Sequence, residues 1–155
     1  MKIWSHLMIS ALLAAVFSLI PRTDAAAATC VPTGEDMLGP FYKPGAPVRQ
    51  SVGKGYVLTG MVKSSKDCSA VPDAMIELWL AGPDGRYGDA YRATIMADSS
   101  GAYSFESNVP RPIEGRPPHI HLRVSAKGFA TLVTQHYPEQ GKDQAVFDLV
   151  LKPDK

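Results

Sequence analysis

A chain of 155 residues, 45% apolar and 20% charged, is long enough for one domain with a hydrophobic core of its own. The formal net charge is +1 and no basic cluster occurs, which excludes the electrostatic footprint of a nucleic-acid binder and leaves a small molecule as the expected partner.

The first residues stand apart in composition. Lys2 gives a positive start, residues 7–20 form an apolar run too short for a comfortable membrane span and stopped by Pro21, and residues 25–28 are small. This predicts a secretory signal peptide over 1–26, cleaved near 26–28, with 27–155 left as a single exported domain, periplasmic or secreted. No integral membrane segment is expected after cleavage. An uncleaved anchor and a lipidated Cys30 are the weaker alternatives, the second because Thr29 is a poor residue before a lipidated cysteine. Loss of the leader removes two of the 16 basic and one of the 15 acidic residues, so the remainder is neutral. Cys30 and Cys68 are the two cysteines, both in the exported portion, where an oxidising compartment favours pairing them.

Thirteen glycines and thirteen prolines divide the remainder into short segments without sustained 3.6-residue periodicity, which is a β-rich pattern. Residues 31–51 form an irregular Pro/Gly-rich arm expected to wrap over the domain. Strands are predicted at 56–62, 74–80, 92–96, 102–106, 119–125, 130–135 and 145–151. Turn signals separate them, among them Gly82-Pro83-Asp84-Gly85 and the hairpin sequence Asp98-Ser99-Ser100-Gly101. Some seven short strands without a repeat argue for an all-β, two-sheet β-sandwich with long irregular loops.

Within this pattern the segment Arg116-Pro117-Pro118-His119-Ile120-His121 carries the chemistry. Side chains alternate along a strand, so His119 and His121 project to one face, close enough to share a metal ion. The prolines cannot donate to a ladder and place the pair at a strand end. Two solvent-facing histidines are the bland alternative.

Several segments, taken in order, resemble the intradiol ring-cleavage dioxygenases, especially their short secreted members. They are Leu38-Gly39-Pro40-Phe41-Tyr42 with Pro44-Gly45-Ala46-Pro47, Ala74-Met75-Ile76-Glu77-Leu78-Trp79 leading to Asp84-Gly85-Arg86-Tyr87, Asp98 with residues 101–105, residues 116–121, and Thr134-Gln135-His136-Tyr137. The resemblance spans most of the exported portion and implies an immunoglobulin- or prealbumin-like sandwich. It also implies a non-haem Fe(3+) cofactor and cleavage of catechol-type rings, with O2, between the two hydroxylated carbons to muconate-type diacids. His119, His121 and Tyr87 match metal ligands of that family. Arg116 and Gln135 match its catalytic arginine and glutamine, and Tyr42 an aromatic of the substrate pocket.

One position departs from the family pattern. The second tyrosine ligand, six residues ahead of the first histidine, falls on Ile113, and Glu114 is the nearest carboxylate. Tyr91 is the one tyrosine considered as a substitute. The expectation is therefore an exported iron-dependent dioxygenase, with an altered or non-catalytic metal- or catechol-binding member of the same fold as the alternative. A homo-oligomer stays open.

Overall fold

Residues 30–155, apart from Glu114, are described by a computed structural model; the leader over 1–26 lies outside the described residues. Strand β1 (Gly55–Ser64) alternates between buried and half-buried positions along its length. That is the period of a strand with one face on a core, and it places Tyr56, Leu58 and Val62 inward. Strands β2 (Met75–Leu80) and β5 (Ile120–Ser125) behave differently, being buried on nearly every residue. Their core face is apolar, with Ile76, Leu78, Leu80, Ile120, Leu122 and Val124, whereas Glu77, Trp79 and His121 are buried on the opposite face.

The remaining strands are β3 (Arg92–Met96), β4 (Ala102–Asn108), β6 (Leu132–His136), β7 (Gln144–Val146) and β8 (Leu149–Leu151). One sheet runs β4-β1-β7 with β8 also paired to β1, and the other runs β3-β2-β5-β6. The core lies between them, with Tyr56, Leu58, Val62 and Phe105 from the first sheet meeting Ile76, Leu78, Ile120 and Leu122 from the second. Each fully buried aliphatic side chain contributes about 1.5–3 kcal/mol of transfer free energy. The all-β, two-sheet architecture is the one expected. No helix among the described residues is long and apolar enough to cross a membrane.

Several strand boundaries differ from expectation. His119 precedes β5 rather than opening it, and the strand expected over 130–135 is β6, which ends on His136. The single strand expected over 145–151 is broken into β7 and β8, both parallel to β1. The cause is Asp148, whose carboxylate accepts the Met61 amide at 2.9 Å and the Lys63 ammonium at 2.6 Å where a ladder carbonyl would otherwise stand. Gly60 leaves room beside it for the Phe147 carbonyl.

The arm over 31–51 crosses the outer face of the second sheet. A disulfide joins Cys30 to Cys68 and fixes its start. Backbone bonds from Thr33 to Val150 and from Asp36 to Val133 zip it to β8 and β6, and bonds between Pro47, Arg49 and Thr94 fasten its far end to β3. In between, it passes over the paired row Gln135, His121, Trp79 and Arg92, one residue from each of β6, β5, β2 and β3.

Candidate metal centre

The row beneath the arm places the candidate site. His121 comes from β5, and His119, two residues earlier, extends toward the same side; their ring centroids are 4.8 Å apart and nearly perpendicular. Tyr87 arrives from the loop after β2. Gly82 accepts from the Gly85 amide and donates to the Arg86 carbonyl, while Gly85, at φ 75°, lets the chain double back. The phenol oxygen of Tyr87 then lies 3.0 Å from Nε2 of His119 and 3.2 Å from Nε2 of His121.

Each ring is clamped. Nδ1 of His119 is 2.7 Å from the Pro117 carbonyl, which only accepts, so Nδ1 carries the proton and the Nε2 lone pair faces Tyr87. Trp79 stacks on His121 at 4.9 Å and 4°, and Phe41 stacks on Tyr87 at 4.3 Å and 12°. Gly39 lies directly against the His121 ring, where a Cβ would meet Cε1 at 3.0 Å. His121 is 2% exposed, and its Nδ1 makes no hydrogen bond of normal geometry. Burial, then the neighbouring His119 and Arg116, push its pKa down to about 4, so the imidazole is neutral and ready to ligate.

The three donors suit a cation. Three atoms bound to one ion at about 2 Å lie about 3 Å from one another, which is the separation the Tyr87 oxygen keeps from both Nε2 atoms. No group of three or more His, Cys, Asp or Glu comes together among the described residues, so an ion bound here takes its third ligand from the tyrosine. Two imidazoles and a phenol form a borderline-to-hard donor set, which fits a ferric ion.

Of the other residues singled out in the sequence, Arg116 and Ile113 face the same space. A tight hairpin with reciprocal bonds between Ile113 and Arg116 sets them side by side. With Tyr87, His119, His121, Met37, Gly39, Pro40 and Phe41 they line a cavity of about 200 Å3. Nη2 of Arg116 donates to Oε1 of Gln135 at 2.8 Å, and Gln135 in turn donates to the Met37 carbonyl at 2.8 Å, so the amide links Arg116 to the arm. Tyr42 lines a neighbouring cavity of about 260 Å3 with Trp79 and Tyr87, and its hydroxyl donates to the buried Glu77 carboxylate at 3.1 Å. Burial, then that carboxylate, raises the Tyr42 pKa.

Tyr91 does not reach the site. Its ring covers Gly82, where any Cβ would collide with it, and packs against the core. Glu114 lies outside the described residues. Sequence reasoning passed over Phe41 and Gly39 as site residues although both stand in a quoted motif, and it passed over Asp36 and the role of Tyr137 entirely. Asp36 carries no local signal, because its side-chain partners Gln135 and Tyr137 lie about a hundred residues away.

The chain is similar to known ring-cleaving dioxygenases. The chain is 31% identical over 139 residues to a chlorocatechol 1,2-dioxygenase of Pseudomonas sp. (strain P51), covering 68% of this chain and 55% of that protein. It is 31% identical over 140 residues to a hydroxyquinol 1,2-dioxygenase of Nocardioides simplex, covering 69% of this chain and 47% of that protein. The chain thus spans about half the length of these curated relatives. Among solved structures, the dioxygenase domain of a dioxygenase–carbohydrate-binding protein fusion from Streptomyces sp. SirexAA-E superposes with a TM-score of 0.70 at 25% identity, over 80% of this chain and 100% of that one. Chlorocatechol 1,2-dioxygenase from Pseudomonas putida gives 0.62 at 25% identity, over 74% and 70%. No protein-family model matches the chain.

Proposed function

Because the chain belongs to the intradiol ring-cleavage dioxygenase family, we propose that it is a ferric-iron-dependent dioxygenase that opens catechol-type rings, with O2, between their two hydroxylated carbons. The observation that carries this reading is the convergence of Tyr87 with Nε2 of His119 and His121 at 3.0 and 3.2 Å in a cavity that also holds Arg116. Tyr87, His119 and His121 would hold Fe(3+), which supplies Lewis acidity toward the two oxygens of a catechol.

This chain's own groups do the rest. A dry cavity of about 150 Å3 takes a benzene ring, so a space of about 200 Å3 suits one small aromatic diol. Met37, Phe41 and Ile113 give it apolar walls that keep water from a reactive ring. Arg116 offers a fixed cation to a ring-localised anion and is kept in place by Gln135. Ile113 contributes no acid–base group, so a substrate proton leaves through another acceptor. The relatives named above are dioxygenases, which favours turnover over binding without turnover.

We infer further that the chain is exported. A disulfide between Cys30 and Cys68 supports an oxidising compartment, and cell fractionation with N-terminal sequencing of the product tests it.

The test of function is a visible spectrum with metal analysis, followed by oxygen uptake with catechol, protocatechuate and hydroxyquinol. The expected protein binds close to one ferric ion, is coloured by tyrosinate-to-iron charge transfer, loses the colour in Tyr87→Phe and consumes oxygen with at least one of the diols. Ile113→Tyr is expected to tighten iron binding and deepen the colour. Colourless protein after ferric reconstitution refutes the metal assignment, and an iron-loaded protein with background oxygen uptake refutes the dioxygenase.

A further inference from the structure

We propose that Asp36, from the arm, is a positioning residue that aims Arg116 at the cavity through Tyr137 and Gln135. Arg116 acting on the substrate ring is the reading given above, and Asp36 acts on that side chain without touching the substrate.

The contacts form a closed set. Oδ1 of Asp36 accepts the Met37 amide at 2.6 Å and lies 3.4 Å from Nε2 of Gln135, while Oδ2 accepts the Tyr137 hydroxyl at 2.8 Å. The Tyr137 oxygen accepts from Nη2 of Arg116 at 3.0 Å, and the same Nη2 donates to Oε1 of Gln135 at 2.8 Å. Tyr137 has one proton to give and two acceptors near it, the Asp36 carboxylate at 2.8 Å and Oε1 of Gln135 at 3.1 Å. The closer, charged acceptor takes it. That choice leaves both the phenol oxygen and Oε1 of Gln135 free to receive the guanidinium.

Electrostatics follow the same pattern. Burial pushes the Asp36 carboxyl up, but the Met37 amide, the Tyr137 hydroxyl and the Arg116 charge together hold it below the usual carboxylate range. A direct Asp36–Arg116 ion pair would neutralise the cation and turn it away from the cavity. With a phenol between them the carboxylate orients the guanidinium and leaves its charge available. Asp36 is itself held, its amide bonded to the Val133 carbonyl of β6 and Gly34 accepting from the Thr134 hydroxyl. The arm is therefore part of the substrate machinery as well as a cover.

The experiment reads Arg116 directly. Nitrogen-15 NMR of its guanidinium in the metal-free, disulfide-intact protein reports rotation about the Cζ–Nε bond and needs neither iron nor turnover. Asp36→Asn and Tyr137→Phe are each expected to speed that rotation about tenfold, as loss of one charge-assisted hydrogen bond implies, and the double variant should go no further. In the iron-loaded protein the same variants should lower kcat/KM roughly 10- to 100-fold with iron content and visible band unchanged. Glu35→Gln, an exposed neighbour paired with Lys152 at 3.3 Å, should alter neither. Arg116 rotation equal to the parent in Asp36→Asn overturns the assignment. So does faster rotation with the kcat/KM of an active parent fully retained, or an effect of equal size in Glu35→Gln. A parent that binds iron but shows no turnover counts against the proposed function, and the rotation measurement then decides the role of Asp36 alone.

Discussion

In the sheet β3-β2-β5-β6 the inner face and the part of the outer face beneath the arm are buried to nearly the same degree and by unlike means. On the inner face Ile76, Leu78, Leu80, Ile120, Leu122 and Val124 are fully buried against the other sheet. On the outer face Glu77 is 5% exposed, Trp79 4%, His121 2% and Gln135 5%, beneath an irregular arm. The inner face gains from removal of apolar surface and asks only for complementary shape. The outer face gives up hydration of polar groups, which is costly unless each finds a partner. Arm residues meet that demand on three of the strands, Met37 with Gln135 on β6, Tyr42 with Glu77 on β2 and Lys43 with Arg92 on β3, while Gly39 packs against the His121 ring on β5. Burial by a strap rather than a sheet lets a polar site be both dry and reachable from one side.

Leu122→Ala is the sharpest break of the inner face. Removing that side chain from a site with 0% exposure is expected to cost about 2–5 kcal/mol in urea unfolding, through lost transfer energy and the cavity left behind. Iron content of the folded fraction should not change, because Leu122 points away from the arm. A cost below about 1 kcal/mol would show that the two sheets do not pack tightly here.

The inner face was legible in the sequence and most of the outer face was not. Alternation along 56–62 and 119–125 marks which residues face the core, and the spacing of His119 and His121 marks a shared side. These signals lie within a few residues of one another. The cover is a long-range matter, since the distance in sequence from Phe41 to Tyr87, or from Asp36 to Tyr137, exceeds any period a strand imposes. Asp148, which splits the last strand, was hidden for the same reason: its partners Met61 and Lys63 lie on β1. Tyr91 shows the converse error, a tyrosine near the site in sequence whose ring a glycine draws toward the core.

Gly39→Ala tests the strap where it meets the site. Gly39 has φ 74°, and an added Cβ would approach His121 Cε1 to 3.0 Å. The left-handed backbone alone costs about 1–2 kcal/mol for a residue with a side chain. The contact adds a push on the imidazole that Trp79 stacks against from another direction. The expected result is a loss of about 1–2 kcal/mol by thermal or urea unfolding, a changed His121 ring resonance and weaker iron binding. An unchanged His121 resonance would show that the arm moves aside freely, and the strap would then be a loose cover.

The smallest effect separates the two faces by pH in the metal-free protein. His121, on the outer face, has its pKa lowered to about 4 by burial and then by its neighbours His119 and Arg116, and His136, on the inner side against Tyr56, has its pKa lowered by burial. An unfolded histidine takes its proton near pH 6.5, whereas these two stay neutral in the fold. As pH falls through 6.5 the unfolded chain therefore binds more protons than the native one. Stability is full above about pH 6.5 and declines below it, and the decline from His121 ends near pH 4 when the native imidazole also protonates. For His121 the loss between pH 6.5 and 5.5 is about 1 kcal/mol. Urea unfolding across that range should show the slope, and His121→Gln and His136→Gln should each reduce it, the second keeping an acceptor for the Tyr56 hydroxyl. Bound iron competes with protons for His121, so the loaded protein should start with greater stability and lose it more steeply as acid releases the metal. If the slope persists in His121→Gln at its full parental value, water reaches that imidazole in the native state, and the arm covers the outer face without drying it.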